Sequence, residues 1–164
     1  MKFVQSLIIL GAVAFFAACG GPKVVPATPV NKPVASEQSA ENLHEMIILL
    51  AKYKKYQILS DNGTTETRIK YDRMSTDKNT KAVTLHSSIT YDVVNTSTDY
   101  TFSYVDSTNL GYQDGNISST YTHYINMFDS TLKKMYSDPA YLGRMRNIVA
   151  GKNPDGTEKV PAQK

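Results

Sequence analysis

From Ala82 to Val94 the chain alternates, with Val83, Leu85, Ile89, Tyr91 and Val93 on one side and Thr84, His86, Ser88, Thr90 and Asp92 on the other. A period of two residues over so long a run admits a β-strand and excludes a helix. One apolar and one polar side make it a strand of an antiparallel sheet that is covered on one face only. A polar turn, Asn95 to Asp99, leads to Tyr100, Phe102 and Tyr104 at the same period, with Thr101 and Ser103 between them. These two runs predict a hairpin.

The rest of the domain arranges itself around that pair. Asn62-Gly63 is a hairpin turn signal between the segments 55–60 and 64–71. Ser39 can cap a helix whose apolar positions Leu43, Met46, Ile47, Leu50 and Tyr53 recur at helical spacing. After Ser118 or Ser119, Tyr121, Tyr124, Ile125, Phe128, Leu132 and Met135 do the same until Asp138-Pro139 interrupts them. A shorter helix over 140–150, with Leu142, Met145 and Ile148 inward, should stop at Gly151. The expected fold class is α+β: a two-layer, four-stranded antiparallel sheet with helices packed on one face, in the order α-β-β-β-β-α-α.

The chain begins like an exported protein. Lys2 is followed by the apolar run Leu7 to Phe16, and Ala17 and Ala18 precede Cys19. The run is shorter than the roughly 20 residues that a spanning helix requires. Cys19 is the sole cysteine, so it has no partner within the chain. Phe16-Ala17-Ala18-Cys19 resembles the lipobox of bacterial lipoproteins, with Phe16 where that pattern prefers an aliphatic residue. The resemblance implies a signal peptide over 1–18, acyl chains on Cys19 as the contact with membrane lipid, and a place in the cell envelope. Gly20 in place of the Asp that retains such proteins at the inner membrane points to the outer membrane, with the domain in the periplasm. Pro22, Pro26, Pro29 and Pro33 make 19–38 read as a Pro-rich tether. At about 3.1 Å per residue it could lift the domain on the order of 60 Å from the lipid. The globular domain is then 39–151, and 152–164 reads as a flexible tail.

A second resemblance lies in the domain itself. Ile89-Thr90-Tyr91-Asp92, Tyr100-Thr101-Phe102-Ser103-Tyr104, Ser107-Thr108-Asn109-Leu110-Gly111-Tyr112, and then Ile117, Tyr121, Tyr124 and Ile125 resemble a group of small uncharacterised lipoproteins of Gram-negative bacteria. That group carries a Gly-Trp pair at the first strand and Tyr-Asn-x-Trp in the later helix. Here Lys55-Tyr56 and Tyr121-Thr122-His123-Tyr124 stand there, and the chain has no tryptophan. The resemblance implies the fold and the envelope location; it carries no activity.

Chemistry is sparse. The formal charge is +3, or +2 once Lys2 leaves with the signal peptide, and the charges are mixed along the chain, which argues against nucleic acid as a partner. His44-Glu45 opens like a zinc-protease motif, but Ile48 stands where the second histidine belongs, so no metal site is expected. There is no nucleophile elbow and no phosphate-binding glycine loop. Asp92, Asp99 and Asp106 at strand ends are the single constellation that suits glycan hydrolysis. Asp114-Gly115-Asn116-Ile117-Ser118 resembles an acidic bacterial glycosylation sequon, although Asp-Gly is also an ordinary turn. Of the eleven tyrosines, Tyr91, Tyr100, Tyr104, Tyr121 and Tyr124 fall on expected core faces, and Tyr112, Tyr136 and Tyr141 are the better surface candidates for carbohydrate contact. The expectation is therefore a non-catalytic protein without a cofactor, binding an envelope protein or a cell-wall component such as peptidoglycan. The alternatives are a small glycan hydrolase using those aspartates and a tethered hydrolase inhibitor. The face expected to bind is the open side of the sheet, Thr84, His86, Ser88, Thr90, Thr101 and Ser103, read as flat, hydroxyl-rich and low in charge.

Overall fold

The computed structural model describes residues 23–34 and 39–159. The signal-peptide segment 1–18 and the lipidation candidate Cys19 lie outside the described residues. In chain order the elements are β1 (Val24–Pro26), β2 (Val30–Pro33), α1 (Ala40–Tyr53), β3 (Gln57–Asp61), β4 (Glu66–Thr76), β5 (Val83–Asn95), β6 (Asp99–Thr108), β7 (Asn116–Ser118), α2 (Thr120–Ser137) and α3 (Pro139–Val149). The class is α+β, with an antiparallel sheet that has five strands rather than the expected four, in the order β2-β6-β5-β4-β3.

The extra strand comes from the segment read as a tether. Val30–Pro33 pairs with Phe102 to Asp99 at the edge of β6, and Val24–Pro26 pairs with β7 in a separate two-stranded sheet. Proline lacks an N–H, so it is tolerated on an edge strand and says little against pairing there. Tyr121 Oη also donates to the Thr28 carbonyl at 2.9 Å, tying the segment to α2. The tether reading over 19–38 is thus corrected for 24–33, which belongs to the domain. Within the segment read as a tail, the Pro154 carbonyl accepts from Asn147 Nδ2 at 3.1 Å and Lys152 pairs with Glu158 at 3.0 Å.

Helix boundaries follow local chemistry. Ser39 Oγ accepts from the Asn42 amide at the start of α1, and Asp138 does the same for Tyr141 at the start of α3, with Pro139 in the first turn. Ser119 makes no side-chain cap for α2; Ser118 Oγ accepts from the Thr120 amide instead. Two helices end in the same six-residue closure. At α1 the Tyr56 amide bonds the Ala51 carbonyl and the Lys55 amide bonds the Lys52 carbonyl; at α3 Lys152 and Gly151 bond Asn147 and Ile148. This closure needs one left-handed residue, which is Gly151 (φ 82°) in one case and Lys55 (φ 61°) in the other.

The helices cover one face of the sheet. Leu43, Ile47 and Leu50 of α1, Ile69 of β4, Ile89, Tyr91 and Val93 of β5, Tyr100 and Phe102 of β6, and Ile125, Phe128 and Leu132 of α2 form one buried cluster, with Met145 of α3 beside it. Phe128 meets Phe102 and Tyr56 edge-on, at centroid distances of 5.4 and 5.6 Å.

The alternation of β5 does not hold to its start. Val83 and Leu85, expected inside, are exposed by 64% and 42%. Between Leu85 and Ser87 the pairing with β4 slips by one residue, and a slip of one changes the face of everything beyond it. Neither flanking strand reaches this far, since β3 stops at Gln57 opposite Lys70 and β6 at Thr108 opposite Ser88. Residues 73–86 therefore project as a two-stranded ribbon with a turn at Asp77–Lys81.

Candidate functional site

A cavity of about 230 Å3 is lined by Lys54, Tyr56, Tyr71, Tyr124, Met127 and Phe128. Three elements build it. The left-handed Lys55 turns the chain sharply out of α1 and delivers Tyr56; Tyr71 comes from the core face of β4; Tyr124 and Phe128, one helical turn apart, come from α2. The rings brace one another: Tyr56 and Tyr71 are 4.9 Å apart, as are Tyr71 and Tyr124.

The site is mostly apolar with few polar groups, as small-molecule sites are. Burial, then the neighbouring Tyr71 and Tyr124, push the Tyr56 hydroxyl well above the ordinary range, so it stays protonated. The Tyr124 hydroxyl is buried and has no hydrogen-bond partner among the described residues, with the residue only 7% exposed. An unmade bond on a buried hydroxyl carries a cost of about 1–3 kcal/mol. Lys54 adds a cation to the lining, so the cavity suits a compact ligand with an apolar face and a negative charge.

The residues expected to form an open hydroxyl face are distributed differently. Thr84 and His86 lie on the projecting ribbon, where His86 Nε2 pairs with Ser75 Oγ at 2.7 Å. Ser88 and Thr90 are only 5% and 7% exposed, which corrects their reading as surface residues; Thr101 and Ser103 are half-buried. The cause is the partner strand. Across the ladder Ser88 faces Asp72, Thr90 faces Lys70, and Asp92 stands between Arg68 and Ser103. Arg68 clasps Asp92 with two bonds of 2.6 and 2.8 Å, and Lys70 lies 3.4 Å from Asp72. Long charged side chains cover the small hydroxyls. The face is charged and paired, not flat and neutral.

The three aspartates do not gather at one point, although Asp106 lies opposite Thr90, two residues along β5 from Asp92 and on the same face. Asp92 is held by Arg68, whose guanidinium is in turn raised by the bonds to Asp92. Asp99 accepts from Thr96 at 3.1 Å in the hairpin turn, seven residues along β6 from Asp106. At about 3.3 Å per residue that separation is roughly 23 Å, far beyond the ~5–9.5 Å of a glycosidase pair. Tyr112 stacks on Tyr104 at 4.6 Å, and Tyr141 lies under Lys134 at 4.6 Å. Asn116 follows the left-handed pair Asp114 and Gly115, in a turn.

Two buried polar clusters had no expectation attached. His44 Nδ1 meets Asn95 Oδ1 at 3.1 Å, and its Nε2 meets Asp61 Oδ1 at 2.7 Å. Asn95 Nδ2 donates to the Ala40 carbonyl, so its oxygen is the atom turned to the histidine. Partial burial acts to raise the Asp61 carboxyl, but the Gly63 amide and His44 outweigh it and hold the group below its ordinary value. Second, Tyr100 donates to buried Asp129, which also accepts from Lys133 at 2.9 Å. Both clusters join elements distant in sequence, so they read as structural ties.

Among the described residues no group of three or more His, Cys, Asp or Glu is placed to hold a metal, and no helix is long and apolar enough to cross a membrane. Compared with protein-family models, with curated proteins and with solved structures, the chain matches none.

Proposed function

We propose that this chain is a bacterial envelope lipoprotein, anchored by acyl chains on Cys19, whose domain is a non-catalytic binding module for a cell-wall fragment held in the tyrosine cavity. The observation that carries the binding reading is a cavity walled by the rings of Tyr56, Tyr71, Tyr124 and Phe128 with Lys54 in its lining. Aromatic faces accept the apolar side of a sugar ring, tyrosine hydroxyls exchange hydrogen bonds with its hydroxyls, and the lysine meets a carboxylate. A cavity of about 230 Å3 holds one ring, below the ~300–1,000 Å3 of sites for larger ligands. Peptidoglycan fragments combine such a ring with a carboxylate. The anchor reading is supported by the apolar run that ends in Ala17-Ala18-Cys19.

The binding reading is tested by calorimetric titration of the purified lipoprotein with soluble disaccharide-peptide fragments. Tyr71→Ala, which removes a wall, should weaken binding about tenfold or more, a change of about 1.4 kcal/mol. Tyr124→Phe should weaken it less, and without loss of stability. Heat of binding absent from the wild type, or unchanged in Tyr71→Ala, would remove the cavity from the mechanism. Labelled palmitate entering the wild type and not Cys19→Ser tests the anchor.

A further inference from the structure

The docking of β1 and β2 onto the domain changes where an anchored protein must sit. Between Cys19 and Lys23 there are four peptide steps, a span of at most roughly 14 Å. The position of Lys23 on the domain therefore decides which end meets the membrane. Pro33 pairs with Asp99 beside the 96–98 turn, and from there the chain runs back along the molecule to Val24, which shares a cleft with Asn109 and Leu110. Asn109 Nδ2 in turn donates to the His86 carbonyl at 3.2 Å. His86 is the base of the projecting ribbon. The chain thus leaves the domain toward Cys19 at the end that carries the ribbon, opposite the turns at 62–65 and 96–98.

The ribbon is built unlike the rest of the surface. Met74 pairs with Leu85 and Thr76 with Val83, so three large apolar side chains share one of its faces, and all are open to solvent: Met74 57%, Val83 64%, Leu85 42%. Among the described residues nothing packs over that face. The surrounding charge is positive. Arg73, Lys78 and Lys81 are exposed and outnumber the ribbon's acid, Asp77, whose carboxylate accepts from the Asn79 and Thr80 amides at 2.8 and 2.7 Å and stays ionised. An apolar surface ringed by cations is what an interface with anionic lipid favours.

We propose that the ribbon 73–86 is a second membrane contact, with Met74, Val83 and Leu85 seated in the headgroup–acyl boundary of an anionic bilayer while Arg73, Lys78 and Lys81 meet lipid phosphates. The inference rests on the anchoring of Cys19 proposed above. Acyl chains supply attachment; the ribbon fixes orientation, holding the domain against the membrane on one chosen end in place of the free swing of a long tether.

The test uses the full acylated protein, made in a lipoprotein-competent host and reconstituted in phosphatidylethanolamine–phosphatidylglycerol vesicles. Acylation consumes the single native thiol, so Leu85→Cys or Met74→Cys carries the only site for an environment-sensitive fluorophore. Thr64→Cys, at the far end of the β3–β4 hairpin, is the reference. Labels at 85 and 74 should shift to the blue, be quenched by nitroxide lipids and resist iodide; the label at 64 should behave in the opposite way. Raising the salt concentration, or Lys78→Glu with Lys81→Glu, should weaken nitroxide quenching at 85 without releasing the protein from vesicles. If the acylated protein floats with vesicles while 85 and 64 report the same aqueous environment, the ribbon proposal is overturned and the anchor stands. Shielding from iodide that is independent of nitroxide lipid, with self-quenching between labels, would assign the ribbon to a second copy of the chain and likewise overturn it. A purified protein whose mass lacks acyl chains overturns the anchor and this proposal together.

Discussion

Tyr100→Phe isolates one hydrogen bond in the core. The ring keeps its edge-on contact with Phe102 at 5.8 Å and loses only the hydroxyl that donates to Asp129. Asp129 is buried, and Lys133, reaching back one helical turn at 2.9 Å, is then its remaining side-chain partner. Burial first, and the bond to Asp129 second, push the Tyr100 hydroxyl far above its ordinary value, so it is a donor at any working pH. A hydrogen bond to a charged group contributes about 1.5–3 kcal/mol, and removing the donor leaves a desolvated carboxylate, so the loss should lie near 2 kcal/mol. For a chain of 164 residues that lowers Tm by about 4–8 °C. Urea unfolding should show a shifted midpoint with an unchanged slope. The double variant Tyr100→Phe with Asp129→Leu should lose less than the two single losses added, with a coupling of about 1 kcal/mol or more. Loss in Tyr100→Phe under about 0.5 kcal/mol, or strict additivity, would refute the view that this pair ties β6 to α2.

Four further outcomes follow from the same structure. Phe128→Ala empties the junction of Phe102, Tyr56 and the cavity wall and should cost about 3–5 kcal/mol in urea unfolding. Lys55→Gly relieves a left-handed lysine and should raise stability by roughly 0.5–1 kcal/mol, read as a higher Tm. Tyr124→Phe removes a hydroxyl without a partner and should leave the unliganded protein within about 0.5 kcal/mol of wild type or above it. Asp61 has a depressed carboxyl, so its contribution is present above the ordinary carboxylate value and is lost as pH falls through the lower folded one; the gap in urea midpoint between wild type and Asp61→Ala should close on acidification from pH 7.

What could be read in advance was what repeats locally. Helical spacing placed Leu43 to Leu50 and Tyr121 to Met135 on buried faces, Ser39 and Gly151 marked helix ends, and Asn62-Gly63 marked a turn. The misses share a different cause: each depends on a partner far away in sequence. Pro26 and Pro33 argued for a tether, because proline composition speaks of local conformation and not of an open edge at β6 waiting for a strand. The one-residue slip near Ser87 carries no glycine or proline to announce it. Ser88 and Thr90 point away from the core, as alternation says, yet are buried by arginine, lysine and aspartate side chains placed by the β4 register. Tyr56, Tyr71 and Tyr124 each look like ordinary core tyrosines; only their convergence makes a cavity.

The molecule is asymmetric from end to end, and the asymmetry joins the two proposals. Tyr71 faces Ile89, which faces Ser107, and these are among the last rungs before the sheet gives way to the ribbon. The tyrosine cavity therefore lies toward the same end as the ribbon and the departing chain at Lys23. The opposite end carries the 62–65 and 96–98 turns, locked by Asn62 Oδ1 accepting from the Thr64, Thr65 and Glu66 amides and by the His44–Asn95–Asp61 cluster. Those polar ties satisfy the hydrogen-bonding groups of that end, where Val94 is the exposed apolar side chain beside the turns. At the ribbon end apolar side chains stand uncovered, a tyrosine hydroxyl lacks its partner, and cations outnumber the ribbon's acid. Under the proposed anchor at Cys19, a domain with that distribution would present the ribbon and the cavity end toward the membrane. A ligand for the cavity should then be met close to the lipid surface, which favours short, soluble fragments that diffuse there over the extended cell-wall polymer.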